Sequence, residues 1–174
     1  MAQVTAESFS ARFPGLAAGL EPQQVDRLLD VLQVFEVQAG EAVIAEWTNT
    51  DALYLVFEGE LTATTDTPKG EQVVGRVGPG DLLGDVSLLD PGPATASVVA
   101  DAGCTALRLP RAQFEELRAS DPAIASALLR ALLRSLADRV RSATVQLDGL
   151  IAAGRSTTNE LVDVHRSLYA GARP

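Results

Sequence analysis

The 174-residue sequence holds one cysteine, Cys104, and one histidine, His165. A lone thiol makes no intrachain disulfide and no CxxC pair. Cys104 stands in the apolar run CTALRLP and reads as a small buried strand residue. A histidine-based metal enzyme needs two or three histidines with a carboxylate, and His165, near Asp163 in the tail, reads as a solvated residue. GxSxG, Walker A and HExxH motifs are absent, so no catalysis, metal or cofactor is expected. Aromatic residues are 5% of the chain, too few for a row of base-stacking platforms. Trp47 stands alone near a turn and reads as packing. The formal net charge of −9 is the reverse of the Lys/Arg clustering that binds phosphate backbones, so nucleic acid is not expected as a partner. No apolar run approaches the roughly 18 residues of a membrane span. The N-terminus MAQVTAESFSARF lacks the basic-then-apolar order of a secretory signal. A cytoplasmic, membrane-free chain is expected.

What is present is an ordinary globular composition, 47% apolar and 21% charged, at a length suited to one domain. In EPQQVDRLLDVLQ, Val25, Leu28, Leu29 and Leu32 fall on one helical stripe, with Pro22 in the first turn. A shorter helix, Ala6–Arg12, precedes it and stops at Pro14-Gly15. From Val34 the texture becomes VFEV, AVIAEW, ALYLVFE, ELTATT, QVVGRV, ASVVA and CTALRLP, separated by turn signals. Many short strands at that spacing indicate an antiparallel sandwich or barrel. Gly40, Gly59 and Gly80 stand where strands must turn sharply.

The helical period returns after Pro110. A short helix covers Arg111–Ala119, and Asp121-Pro122 opens a longer one. Leu129, Leu133, Leu136, Val140, Ala143, Leu147 and Leu150 follow a 4-3-4-3 spacing. That is a seam of about three heptads, enough for a modest two-stranded coiled coil. A homodimer through this helix is expected. After Gly154, Thr157-x-x-Glu160 has the form of a capping box, and Leu161, Val164 and Leu168 mark a short tail helix that would fold back or capture a protein partner. The tail is too short for a winged helix-turn-helix. The resulting division is 1–33 N-terminal helices, 34–110 roll, 111–150 short and long helices, and 151–174 tail.

The stretches AGEAVIAEW, DALYLVFEGELTA and VGRVGPGDLLGDVSLLDPGPATASVVADAGCTALRLPRAQFEEL together resemble the cyclic-nucleotide-binding domain family, over roughly residues 8–148. That family includes catabolite-activator-type regulators, protein kinase regulatory subunits and cyclic-nucleotide-gated channels. The resemblance implies an α+β fold: N-terminal helices, an eight-stranded antiparallel β-roll (a jelly roll), and a long C-terminal dimerisation helix with a short tail helix. It also implies a ligand site, the phosphate-binding cassette. In the family this opens with Gly-Glu, whose Glu accepts from the ribose 2′-hydroxyl. It closes with Pro-Arg-x-Ala, whose Arg pairs with the cyclic phosphate. Here Gly84-Asp85 occupies the opening, followed by Val86 and Ser87, and the close reads Pro93-Ala94-Thr95-Ala96-Ser97-Val98. Ala94 stands where the family has its arginine.

That departure governs the functional expectation. A charge-assisted Arg–phosphate contact contributes about 1.5–3 kcal/mol. No Lys or Arg occurs from Leu82 to Asp101, and Asp81, Asp85, Asp90 and Asp101 make the segment anionic. Asp85 is one methylene shorter than Glu and could instead cap the cassette helix. Thr95 is a possible hydroxyl donor, and Arg76 on the preceding strand a possible replacement cation. A non-catalytic, dimeric regulatory or scaffold module with weak or no cAMP/cGMP binding is expected. The alternative is a working cyclic-nucleotide sensor that signals through the long helix.

Overall fold

A computed structural model describes residues 4–68 and 70–170, with side chains other than those of Gln146, Leu150 and residues 153–170. The expectations attached to the side chains of Leu150, Thr157, Glu160, Leu161, Val164, His165 and Leu168 therefore lie outside the described residues. The described residues form two compact units, divided between Leu133 and Arg134.

The first unit opens with α1 (Ala6–Arg12). Thr5 Oγ1 accepts from the Ser8 amide at 3.2 Å while Ser8 Oγ accepts from the Thr5 amide at 2.9 Å. This reciprocal cap satisfies amides that the first turn leaves unpaired. A short α2 (Pro14–Ala17) follows, then α3 (Pro22–Val31), which starts at Pro22 as expected. Val25 and Leu28 are buried, and Leu29 and Leu32 pack against the same core at the rim.

Eight strands follow: β1 (Gln33–Val37), β2 (Ala42–Ile44), β3 (Ala52–Glu58), β4 (Leu61–Thr67), β5 (Gly70–Val77), β6 (Leu82–Leu83), β7 (Ser97–Ala100) and β8 (Cys104–Pro110). They form two four-stranded antiparallel sheets, ordered β1-β8-β3-β6 and β2-β7-β4-β5. Six of the seven residues of β3 are buried, because it lies between β8 and β6 with core beneath it. The run therefore reads as continuously apolar rather than alternating. Gly40, Gly59 and Gly80 all have positive φ. At Gly59 the need is steric as well, since a Cβ there would lie 2.8 Å from the Gly103 carbonyl oxygen. Cys104 is buried in β8, and loss of water pushes its thiol up.

Between β6 and β7 lies α4 (Asp85–Leu89). After β8 come α5 (Arg111–Ser120) and α6 (Pro122–Ala170). Phe114 and Leu117 of α5 join Ile124, Ala125, Ala127, Leu128 and Leu132 of α6 in the core that Phe9, Leu28, Leu53, Leu107 and Leu109 also build. Each fully buried Leu contributes about 1.5–3 kcal/mol of transfer free energy.

The backbone of α6 is helical through Gly154, so the tail segment expected after that glycine continues the same helix. One interior glycine costs a helix only about 1 kcal/mol, which neighbouring turns offset. Among the described residues, no helix is long and apolar enough to cross a membrane.

Candidate functional site

The cassette is built around β3. Gly84 is the N-cap of α4 at φ 72, and a Cβ there would overlap the carbonyl oxygen of Ala52. Only glycine admits both the left-handed backbone and that approach. The chain therefore leaves β6 flush against the start of β3 and turns at once into α4. The Leu88 amide donates to the Gly84 carbonyl at 3.0 Å, and the Asp90 amide to that of Val86 at 2.8 Å.

Asp85 is 3% exposed, and its Oδ1 accepts from the Val86 amide at 2.9 Å. The carboxylate thus serves the first turn of its own helix, where a negative charge faces the positive end of the peptide dipoles. Ser87 and Leu88 are buried with Asp85, and Val86 and Leu89 are exposed, so the helix turns two of its five side chains toward solvent.

The closing segment is tied to the turn that follows β2. The Trp47 amide donates to the Ala94 carbonyl and the Ala94 amide to the Thr48 carbonyl, both at 2.9 Å. Asn49 and Pro93 form an isolated antiparallel bridge. Ala94 packs against the roll core formed by Val37, Ile44, Leu61 and Val98. Thr95 is exposed and Ala96 half-buried in the bend before β7. Ser97 Oγ accepts from the Glu46 amide at 3.0 Å.

Arg76 does not approach this segment. It pairs with Asp101 at 3.6 Å, and Thr62 donates to the same carboxylate at 2.7 Å. Gly84 through Ser87 and Ala94 through Ala96 are therefore brought to the two ends of one stretch, residues 47–52, while Arg76 is engaged elsewhere.

Three features here were not read from the sequence. Trp47, expected to pack, is 72% exposed and has φ 65. A bulky residue in that region is an outlier, and the signal for it was a tryptophan flanked by turn formers in EWTNTD. Glu46 reaches β4, where Oε1 accepts from Thr65 Oγ1 at 2.5 Å and Oε2 from the Asp66 amide at 3.0 Å. These two donors, Thr65 first, hold its carboxyl below the usual range. Arg111 donates its amide to the Asp51 carbonyl at 2.7 Å, one residue from Ala52, and its Nη1 is buried with no hydrogen-bond partner among the described residues. Sequence spacing carries no signal for such long-range pairs.

On α6 the seam residues divide. Leu129 packs at the edge of its own core, next to Leu132, which lies off the seam and is fully buried. Leu133 is 63%, Val140 65% and Leu147 57% exposed; Leu136 is half-buried and Ala143 exposed. Among the described residues no cluster of three or more His, Cys, Asp or Glu is placed to hold a metal ion.

Residues 34–121 match the family described as the cyclic nucleotide-binding domain. The chain is 32% identical over 123 residues to a CRP-like cAMP-activated global transcriptional regulator of Mycobacterium tuberculosis, which covers 70% of this chain and 55% of the regulator. The N-terminal domain of a transcriptional regulator from Streptomyces coelicolor A3(2) is 32% identical with a TM-score of 0.64, over 74% of this chain and 90% of that one. The regulatory subunit of a cAMP-independent protein kinase A from Trypanosoma brucei is 27% identical with a TM-score of 0.60, over 72% and 45%. The chain spans little more than half the length of the first two curated relatives it matches. Two of these relatives are transcriptional regulators, so the comparisons lend no support to the expectation that nucleic acid plays no part.

Proposed function

Since the chain belongs to the cyclic nucleotide-binding domain family, we propose that it is a non-catalytic regulatory or scaffold module of that family with weak or no affinity for cAMP and cGMP. The observation that carries the reading is Ala94. It stands where the resemblance implies the phosphate-binding arginine, and its amide and carbonyl are both taken by the Trp47–Thr48 turn. Three of the groups that could compensate are engaged as well, while Thr95 is exposed. Ser97 Oγ serves Glu46, Arg76 serves Asp101, and Asp85 serves Val86. A cyclic phosphate entering here would lose water without gaining a charge-assisted partner, at a cost of about 1–3 kcal/mol for each unmet contact. The Trypanosoma brucei relative, a cAMP-independent regulatory subunit, supports a member of this fold operating without that nucleotide.

Such a module acts by contact. The exposed Leu133, Val140 and Leu147 recur every seven residues, which supports a homodimer through α6. The second reading, a working cAMP or cGMP sensor, is favoured by the cAMP-activated relative and by the buried, unpartnered Nη1 of Arg111, whose backbone amide is held on the Asp51 carbonyl.

Calorimetric titration with cAMP and with cGMP separates the two. No heat from the native chain, with binding gained by Ala94→Arg, supports the first reading. Micromolar binding by the native chain, weakened in Arg111→Met, establishes the second.

A further inference from the structure

The turn that closes the cassette also presents the molecule's single tryptophan. Trp47 is 72% exposed and sits at φ 65, where a bulky side chain costs of order 1–3 kcal/mol and glycine none. Neither burial nor backbone economy accounts for an indole there. Its neighbour Glu46 is anchored through both carboxylate oxygens to β4, so a negative charge is fixed one residue away. The surrounding roll is strongly acidic: residues 34–110 hold twelve carboxylates and three cations, Lys69, Arg76 and Arg108, of which Arg76 is already paired with Asp101 and Arg108 with Asp51.

We propose that Trp47 is the anchor of a docking surface for an arginine-bearing segment of a protein partner. The guanidinium stacks on the indole face, and the carboxylates of the roll supply the complementary charge. Arginine rather than lysine fits, because its planar, weakly hydrated head stacks on aromatic faces. The two hydrogen bonds to Ala94 tie the surface to the closing segment of the cassette, so an occupant would brace the region that the family uses for its ligand. The proposal rests on the reading that the chain acts by contact.

The test uses the full chain and fluorescently labelled hexa-arginine and hexa-lysine peptides of equal charge, measured by anisotropy at low salt, with Trp47 emission followed in parallel. Hexa-arginine should bind roughly three- to five-fold more tightly than hexa-lysine and change the indole emission on saturation. Trp47→Phe should keep part of that preference. Trp47→Gly should remove it while leaving the chain folded, with an unchanged or higher Tm, because glycine relieves the strained φ. Equal affinity for both peptides, or an arginine preference that survives Trp47→Gly, overturns the proposal. Neither result alters the cyclic-nucleotide calorimetry, which tests the underlying reading separately.

Discussion

Arg27 Nη1 lies 3.0 Å from Asp121 Oδ2, joining α3 to the corner between α5 and α6. The same carboxylate accepts from Gln24 Nε2 at 3.1 Å, and the Asp121 carbonyl receives the amides of Ile124 and Ala125 at the start of α6. The two ends of the ion pair are not equivalent. Arg27 is largely exposed and Asp121 nearly buried, so removing the cation leaves Gln24 in place and loses a screened contact of about 0–1 kcal/mol. Removing the carboxylate strands the Gln24 side-chain amide and the Arg27 guanidinium at once. Asp121→Ala should therefore cost about 1–3 kcal/mol, and Arg27→Ala clearly less. Urea unfolding of the two variants reads the difference; equal losses would show that the corner is held by packing alone.

A Cβ on Gly84 would overlap the Ala52 carbonyl oxygen, whereas one on Gly70 would meet nothing within 4 Å. Both glycines have positive φ. Gly70→Ala should lose only the strain of a left-handed alanine, about 1–2 kcal/mol. Gly84→Ala should lose that and the displacement of β3 besides, by at least another 1 kcal/mol or so. Denaturant midpoints of the pair isolate the steric part, and matching midpoints would mean that α4 shifts freely off β3.

Local pattern explains what was legible in advance. β3 and β8 begin and end where their apolar runs do, because glycine and proline turns bound them. β6 is two residues long, too short for any alternation to show. The cassette's place was visible in Gly84-Asp85 and Pro93-Ala94, since those residues are consecutive. Which groups occupy each other was not: Glu46 meets Ser97 across fifty-one positions, and Arg76 could be seen to face a site or not only once β5 had been paired with β4. Trp47 misled for a related reason. An aromatic residue in a turn carries no period, so composition favours burial where the turn's geometry turns the indole outward.

Glu46 supplies a pH prediction. The Thr65 hydroxyl and the Asp66 amide bond its carboxylate and lower its pKa in the folded chain. A lowered folded pKa means the contribution is complete above the unfolded carboxylate's range and fades as pH falls through the folded value. The Tm of Glu46→Gln should lie below that of the native chain at neutral pH, and the gap should close on acidification. Melting curves from neutral to acidic pH would show it; a gap that widens toward low pH would reverse the sign and refute the assignment.

The long helix carries two kinds of leucine within a few residues, and they should fail differently. Leu132 is fully buried in its own core, while Leu133 beside it is exposed, as is Val140 one heptad later. Leu132→Ala removes core volume and should cost about 2–5 kcal/mol, whether or not the chain associates. Leu136→Asp with Val140→Asp touches little of that core. If α6 pairs with a second copy, these two aspartates place like charges on a shared seam, and the sedimentation mass should fall to that of one 18.3 kDa chain with circular dichroism retained. Any accompanying fall in Tm should depend on protein concentration in the native chain and not in the variant, because association stabilises by mass action. An unchanged dimer would move the interface off Leu133–Leu147. A native chain that already sediments as a monomer would leave the exposed heptad to a different partner, and the variants would then be tested for loss of that contact.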